Sequence, residues 1–353
     1  MRNLGKLAVL GITALGLALA GPQDNSLVIG ASQEPRVLAG DFLRVISNQA
    51  IKSEIEQYLF APFIGFNADS QNFPVLATEV PTLENGRLRV TDIGGGKKRL
   101  EMDITIRPDA KWSDGRPITT EDVAFYFEVG KAKGMPVLNP DFWERVNVRI
   151  KDARNFTLIF EPAYYYDTYG PINTYAPKHI MGPEWERVKA AARGLDPDKD
   201  AEKLNELYRN FFLKFATPQA LNRGAMVYSG PFKLKRWVPG NSIEMERNPN
   251  FPIKPEGGES KYVQKVVYRF IQNTNSLLVA VIGGSIDATS SVSSPLTRAA
   301  RPSWCGALPA ALTSGSSPAP SGSTLTSTSL RTARWSRTSV LTTSAPARPS
   351  STP

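Results

Sequence analysis

Alternating hydrophobic and polar residues predict several strands that bury one face. In RLEMDITIR (Arg99–Arg107), Leu100, Met102, Ile104 and Ile106 alternate with polar residues, which is the period-2 pattern of a half-buried strand. Further strands are predicted at residues 26–32, 156–162, 232–238, 242–248 and 265–273. The turn residues Pro239-Gly240-Asn241 separate two of these runs and predict a hairpin.

Other segments repeat their hydrophobic residues at helical spacing. Helices are predicted at 51–63, where Pro62 marks the end, and at 201–216, whose polar face carries mixed charge. A shorter helix is expected after Thr274 as N-cap, ending at Gly283-Gly284. The chain is thus predicted to contain both strands and helices.

The segment Ala110–Phe127 (AKWSDGRPITTEDVAFYF) places three carboxylates near a tryptophan. Asp114 belongs to an Asp-Gly turn, and Thr119 or Thr120 offers a helix cap. Glu121 and Asp122 then fall in the first helical turn, where negative charge suits the helix dipole. Capping and turn formation are the favoured roles, and a secreted hydrolase using Asp114 and Glu121 is the alternative.

The first twenty residues have the form of a secretory signal. A short basic start precedes an apolar run that ends in Ala18-Leu19-Ala20, an A-x-A cleavage site. The mature protein is expected to begin near Gly21 and to act in the periplasm or outside the cell. No cysteine follows the run, so no lipid attachment is expected there.

The formal charge of +9 does not indicate nucleic-acid binding, because of where the charged residues lie along the chain. Residues 289–353 contain six arginines and no acidic residue, whereas residues 21–288 carry nearly equal numbers of both signs. The basic residues there are interspersed with acids, so no basic stripe is formed. With one histidine, His179, and one cysteine, Cys305, no metal, cofactor or catalytic triad is expected.

Residues 289–353 differ sharply from the rest of the chain. Ser, Thr, Ala, Pro and Arg dominate, and no apolar period is sustained. Such a composition buries too little apolar surface to offset the loss of conformational entropy, so a disordered tail is expected.

Several segments, taken in order, resemble a known family. They are SQEP, PVLATEV, ITIRPDAKWSDGRPITTEDVAF, APKHI, SGPFKLKRWVPGNSIEMERNPNF and VVYRFIQNTNSLLVAVIGGSIDA, spread over residues 26–288. The succession is similar to the family 5 extracellular solute-binding proteins, the peptide-binding components of ABC importers. The resemblance implies an α/β protein with a type II periplasmic-binding fold of the peptide-binding class, with mixed sheets and flanking helices.

By this resemblance, domain I comprises residues 21–65 and 182–288, and domain II comprises residues 66–181. Domain III of the family would begin near Thr289, where the Ser/Pro/Arg-rich segment stands instead. A truncation or a shifted reading frame after about residue 290 is the favoured interpretation, because alternative codon frames of residues 312–329 can encode a family-like segment. A native low-complexity tail is the alternative.

The resemblance also implies a function and a set of contacts. An oligopeptide or dipeptide would be bound without being chemically transformed and passed to membrane permease subunits by a monomeric protein. Ser32, Gln33, Glu34, Tyr228, Ser229 and Gly230 are the residues expected to face the ligand cleft. A nonfunctional truncated fragment and a protein for another solute, such as an oligosaccharide, are the alternatives.

Overall fold

The computed structural model describes residues 25–66, 71–164, 167, 176–254 and 263–293. In chain order the elements are β1 (Ser26–Ala31), α1 (Ala50–Leu59), β2 (Ile64–Phe66), β3 (Asn72–Pro74), β4 (Leu88–Gly94), β5 (Lys97–Thr105), α2 (Thr120–Gly130), α3 (Pro140–Arg145), β6 (Val146–Ile150), β7 (Asn155–Phe160), α4 (Lys178–Ala192), α5 (Ala201–Ala216), α6 (Pro218–Asn222), β8 (Phe232–Val238), β9 (Ser242–Arg247), β10 (Lys265–Phe270), α7 (Thr274–Ile282) and β11 (Ala288–Thr289).

The larger sheet has five strands in the order β11, β1, β10, β9, β8. β1 lies between β10 and β11 and is parallel to both, whereas β9 is antiparallel to β8 and β10. The predicted hairpin joins β8 to β9, and Gly240 takes a φ of +73° in its turn. Strands from the two ends of the described chain therefore complete one sheet.

A second, four-stranded sheet is antiparallel throughout, in the order β4, β5, β7, β6. The predicted alternation in β5 is confirmed, since Leu100, Met102 and Ile104 are buried. Buried side chains from both sheets belong to one continuous hydrophobic cluster. The larger sheet draws its strands from residues 26–31 and 232–289 and the smaller from residues 88–160. The division into domains I and II stays a prediction.

The opposite face of the smaller sheet carries a network of charges around Asp103. Its carboxylate accepts hydrogen bonds from Arg89 at 2.6 Å, Lys151 at 2.8 Å and Thr157 at 2.5 Å. Burial raises the pKa of Asp103, but these hydrogen bonds outweigh that effect and hold the pKa well below its usual value. The charged form of Asp103 therefore stabilises the pairing of β4, β5, β6 and β7.

Three buried charges fix the loop between β1 and α1. The ammonium group of Lys52 donates to the backbone oxygen of Asp41 at 2.7 Å and lies 3.2 Å from the carboxylate of Glu56. Glu56 also accepts a hydrogen bond from the backbone N–H of Ala39 at 2.9 Å. Burial raises the pKa of the Asp41 and Glu56 side chains, and the charge of Lys52 opposes that rise. The loop thus depends on a buried cation and its two partners.

Helix α2 begins as the sequence predicted. Thr119 is the N-cap and forms a capping box with Asp122, whose carboxylate accepts a hydrogen bond from the backbone N–H of Thr119. The cap of α7 was predicted wrongly: Asn273 is the N-cap and Thr274 is the first helical residue. The amide oxygen of Asn273 accepts from the backbone N–H of Ser276, and Asn is among the strongest N-cap residues.

The composition change at Thr289 does not mark the end of the folded chain. Thr289 pairs with Gly30 in the sheet, and Ser290 and Ser293 are buried. Tertiary hydrogen bonds therefore order residues 289–293 despite their composition, so the prediction of disorder was wrong for this stretch. The predicted signal segment, residues 1–20, and the rest of the predicted tail, residues 294–353, lie outside the described residues.

We predict that Lys52→Met destabilises the fold by about 3–5 kcal/mol, because it leaves Asp41 and Glu56 as uncompensated buried charges. Urea denaturation at neutral pH measures this loss. Lys203→Met is the control, since Lys203 pairs with Asp200 on the exposed surface. This control variant should keep the free energy of unfolding nearly unchanged, and an equal loss in the two variants would contradict the role assigned to Lys52.

We predict a pH dependence for Asp103→Asn. Since the folded-state pKa is depressed, the stabilisation by Asp103 is fully present above its ordinary value of 3.8 and is lost as pH falls through the folded pKa. The variant should be less stable than the native sequence at pH 7, and the difference should shrink as pH falls below about 4. Urea denaturation at pH 7 and at a pH below about 4 measures the difference in the free energy of unfolding. Asp198→Asn, at an exposed position, is the control. A difference that does not change with pH would contradict the prediction.

Candidate ligand-binding face

The carboxyl ends of β10, β1 and β11 lie side by side at one edge of the larger sheet, because these strands are parallel and adjacent. In open α/β sheets, ligands bind outside the carboxyl ends of parallel strands. The segments that leave this edge are Ser32–Glu34, Ile271–Asn273 and Ser290–Ser293. We call these three segments the strand-end face.

Ser32 and Gln33 lie on the strand-end face. Ser32 is half-buried, and its backbone N–H donates to the hydroxyl of Ser293 at 3.2 Å. Gln33 is exposed. The sheet therefore presents a free amide side chain beside a serine whose backbone is already fixed. A ligand contact by either residue stays a prediction.

The side chain of Glu34 is bound to the β8–β9 hairpin. One carboxylate oxygen accepts from the indole N–H of Trp237 at 2.7 Å, and the other accepts from the backbone N–H of Gly240 at 2.8 Å. Trp237 is only 2% exposed, so the bond to its indole satisfies a buried donor. In this structure Glu34 joins the segment after β1 to the hairpin.

Tyr228, Ser229 and Gly230 are buried in the joint between the two sheets. The backbone N–H of Tyr228 donates to the hydroxyl of Ser113 at 3.0 Å, and its carbonyl accepts from the N–H of Ser113 at 2.8 Å. Ser229 is fully buried, and its hydroxyl accepts from the backbone N–H of Ala61 at 3.2 Å. Burial raises the pKa of Tyr228 strongly. These side chains serve packing in the described chain, and their exposure to a ligand stays a prediction.

Gly230 is required by a close backbone approach. Its N–H donates to the carbonyl of Leu59 at 2.8 Å, and its carbonyl accepts from the side-chain amide of Asn248 at 2.8 Å. A Cβ at this position would lie 2.6 Å from the backbone of Tyr58 and Leu59. Only glycine therefore allows the end of α1 to contact this segment.

The strand-end face includes residues that sequence reasoning missed. Ser290, Ser291 and Ser293 follow β11, and Glu54 on α1 accepts hydrogen bonds from the first two. The local sequence gave no signal for them, because their serine-rich composition is typical of the tail. Their position follows only from the pairing of β11 with β1.

The carboxylates near Trp112 have structural partners. Asp114 lies 2.9 Å from the imidazole of His179, the second residue of α4, and Glu121 pairs with Lys178 at 3.0 Å. Asp122 accepts hydrogen bonds from Trp112 and from the backbone of Lys178. Burial raises the pKa of Asp122, and these hydrogen bonds oppose the rise. These acids tie the start of α4 to the Trp112 turn.

Among the described residues, no three His, Cys, Asp or Glu side chains form a cluster suited to a metal ion. Across the same residues, none of the helices combines the length and hydrophobicity needed to cross a membrane. An open groove of about 470 Å³ lies between Pro108 and Pro252, and no residue of the strand-end face lines it.

Residues 97–301 match the family model described as bacterial extracellular solute-binding proteins, family 5 Middle. The matched region is more than half of the chain and continues past Thr289, where the composition changes. The chain belongs to this family. The resemblance found in the sequence is therefore confirmed at the level of the family and of the periplasmic-binding fold.

Two curated proteins are similar to this chain over part of their length. The oligopeptide-binding protein AppA of Bacillus subtilis is 24% identical over 270 residues, which cover 75% of this chain and 40% of AppA. The peptidoglycan-binding protein YepA of Agrobacterium fabrum is 30% identical over 199 residues, covering 54% of this chain and 26% of YepA. The chain thus spans well under half the length of either protein.

Solved structures share the fold. AppA from Bacillus subtilis in complex with a nonapeptide has a TM-score of 0.50 at 22% identity, covering 74% of this chain and 43% of AppA. OppA of Listeria monocytogenes bound to peptide has a TM-score of 0.51 at 14% identity, covering 74% of this chain and 46% of OppA. At these identities the comparison shows the fold alone.

We predict that Gly230→Ala destabilises the protein by roughly 1–3 kcal/mol, because the added methyl group meets the backbone of α1. Thermal unfolding followed by circular dichroism measures the loss. Gly182→Ala is the matched control, since a Cβ there meets only the flexible side chain of Lys178 at 3.5 Å. That variant should be neutral or slightly stabilised, because alanine favours a helix over glycine; equal stability of both variants would contradict the close approach.

Proposed function

We propose that this family member is an extracytoplasmic solute-binding protein that binds peptides for an ABC importer. Membership in the family carries the proposal, and the strand-end face supplies a surface for the ligand. The relative AppA is named as oligopeptide-binding, and its solved structure holds a nonapeptide. We further propose that the ligand is bound without being transformed and is passed to membrane permease subunits.

An extended peptide suits the strand-end face for a physical reason. Peptide main chains bind protein backbones by the same hydrogen bonds that join strands, and such bonds do not depend on the side chains of the peptide. Gln33 and Gln272 are both exposed there and offer amide donors and acceptors. A transporter component that accepts many peptide sequences needs this kind of recognition.

Peptidoglycan fragments are the second candidate ligand. The relative YepA is named as peptidoglycan-binding and has the higher identity of the two curated relatives described above. A muropeptide contains a short peptide joined to amino sugars, so it presents the same backbone groups together with hydroxyls. The two candidates are distinguished by whether the sugar contributes to affinity.

We predict that the 353-residue chain binds linear peptides. Isothermal titration with a pool of random penta- to nonapeptides should give saturable heat, because backbone recognition tolerates many sequences. A matched titration with a muropeptide and with its free stem peptide tests the second candidate. Tighter binding of the muropeptide than of every peptide would favour peptidoglycan fragments, and no saturable heat with any of these ligands would refute the proposed function for this chain.

A further inference from the structure

Four hydrogen bonds converge on the carboxylate of Glu54, in the middle of α1. One oxygen accepts from the hydroxyl of Tyr268 on β10 at 2.9 Å. The other accepts from the hydroxyl of Ser290 at 2.9 Å, and from the backbone N–H and hydroxyl of Ser291 at 3.0 and 2.6 Å. Three of these four bonds reach one oxygen and come from the chain just after β11, so Glu54 joins α1 mainly to that segment.

Besides Glu54, the segment is held by a short strand pairing and by contacts with Gly30 and the hydrophobic cluster. β11 pairs only two residues with β1, far fewer than the five or six residues of a typical strand. Beyond it, the carbonyl of Gly30 accepts from the backbone N–H of Ser290 at 2.8 Å and from the hydroxyl of Ser293 at 3.5 Å, and Val292 packs at the border of the hydrophobic cluster. Hydrogen bonds to a charged acceptor are stronger than neutral ones, so Glu54 supplies a large part of the attachment.

Two hydrogen bonds connect the residues held by Glu54 to Ser32. The backbone N–H of Ser293 donates to the carbonyl of Ser290, which closes a turn whose first residue is held by Glu54. The hydroxyl of Ser293 then accepts the backbone N–H of Ser32 at 3.2 Å. Ser32 precedes the exposed Gln33, so the position of the turn determines how that residue is presented.

We propose that Glu54 is a positioning residue for the ligand-binding face. It holds Ser290–Ser293 against the carboxyl end of β1 and thereby fixes the backbone of Ser32 and Gln33. Glu54 acts through its hydrogen bonds to Tyr268, Ser290 and Ser291. The effect on ligand affinity rests on the proposed function, whereas the effect on the turn does not.

The experiment compares Glu54→Gln with the native chain by hydrogen–deuterium exchange and by peptide titration. Exchange should rise about tenfold in peptides containing Ser32 and Ser291, since local opening exposes their amides. Peptide affinity should fall about tenfold if the turn is correctly placed only one tenth of the time. Glu206→Gln on the exposed surface of α5 is the matched control and should change neither quantity.

A second variant covers the case in which Glu54→Gln fails to fold. Ser291→Ala removes the 2.6 Å hydrogen bond and leaves the carboxylate in place, so exchange at Ser32 and Ser290 should rise by a smaller factor. Unchanged exchange at Ser32, or a rise spread evenly over the whole sheet, would overturn the proposal. Increased exchange with unchanged affinity in a chain that binds peptide would also overturn it.

The two proposals fail in different ways. If the native chain binds no peptide, the proposed function is refuted, and the exchange measurements alone then decide the role of Glu54. If the native chain binds and only the exchange prediction fails, the proposed function stands without this positioning residue.

Discussion

The larger sheet depends on the insertion of β1 between β10 and β11. These strands come from the two ends of the described chain, so the sheet is complete only when distant segments have met. Such pairing pays a loop-closure entropy before any contact is gained. Every feature of the strand-end face follows from this arrangement, because parallel neighbours bring their carboxyl ends to one edge.

Carboxylates hold several loops of this fold in place. Glu56 and Asp41 order the loop after β1, Glu34 joins that region to the β8–β9 hairpin, and Glu54 secures the chain beyond β11. Each accepts hydrogen bonds from backbone N–H groups that lie outside regular structure. Buried or half-buried N–H groups need such partners, and a charged acceptor satisfies several at once. These four carboxylates therefore organise the loops that surround the larger sheet.

The two groups of residues expected to face a ligand differ in how deeply they are buried. Gln33 is exposed at the end of a parallel strand, where a ligand has access. Tyr228, Ser229 and Gly230 are buried against α1 and the Trp112 turn. Family resemblance transferred both groups equally, because it records which segments correspond and not how deeply each one is packed.

The sequence by itself determined the local elements and the family. Alternation in Arg99–Arg107, the Thr119 cap and the glycine in the β8–β9 turn are short-range features, and each acts within a few residues of its position. Only the tertiary structure decided that residues 289–293 adopt a defined structure and that Glu54 accepts their hydrogen bonds. A serine-rich stretch has too little apolar surface to fold alone. Here its pairing with β1 and its hydrogen bonds to the carboxylate of Glu54 on α1 provide the stabilisation that its own side chains do not.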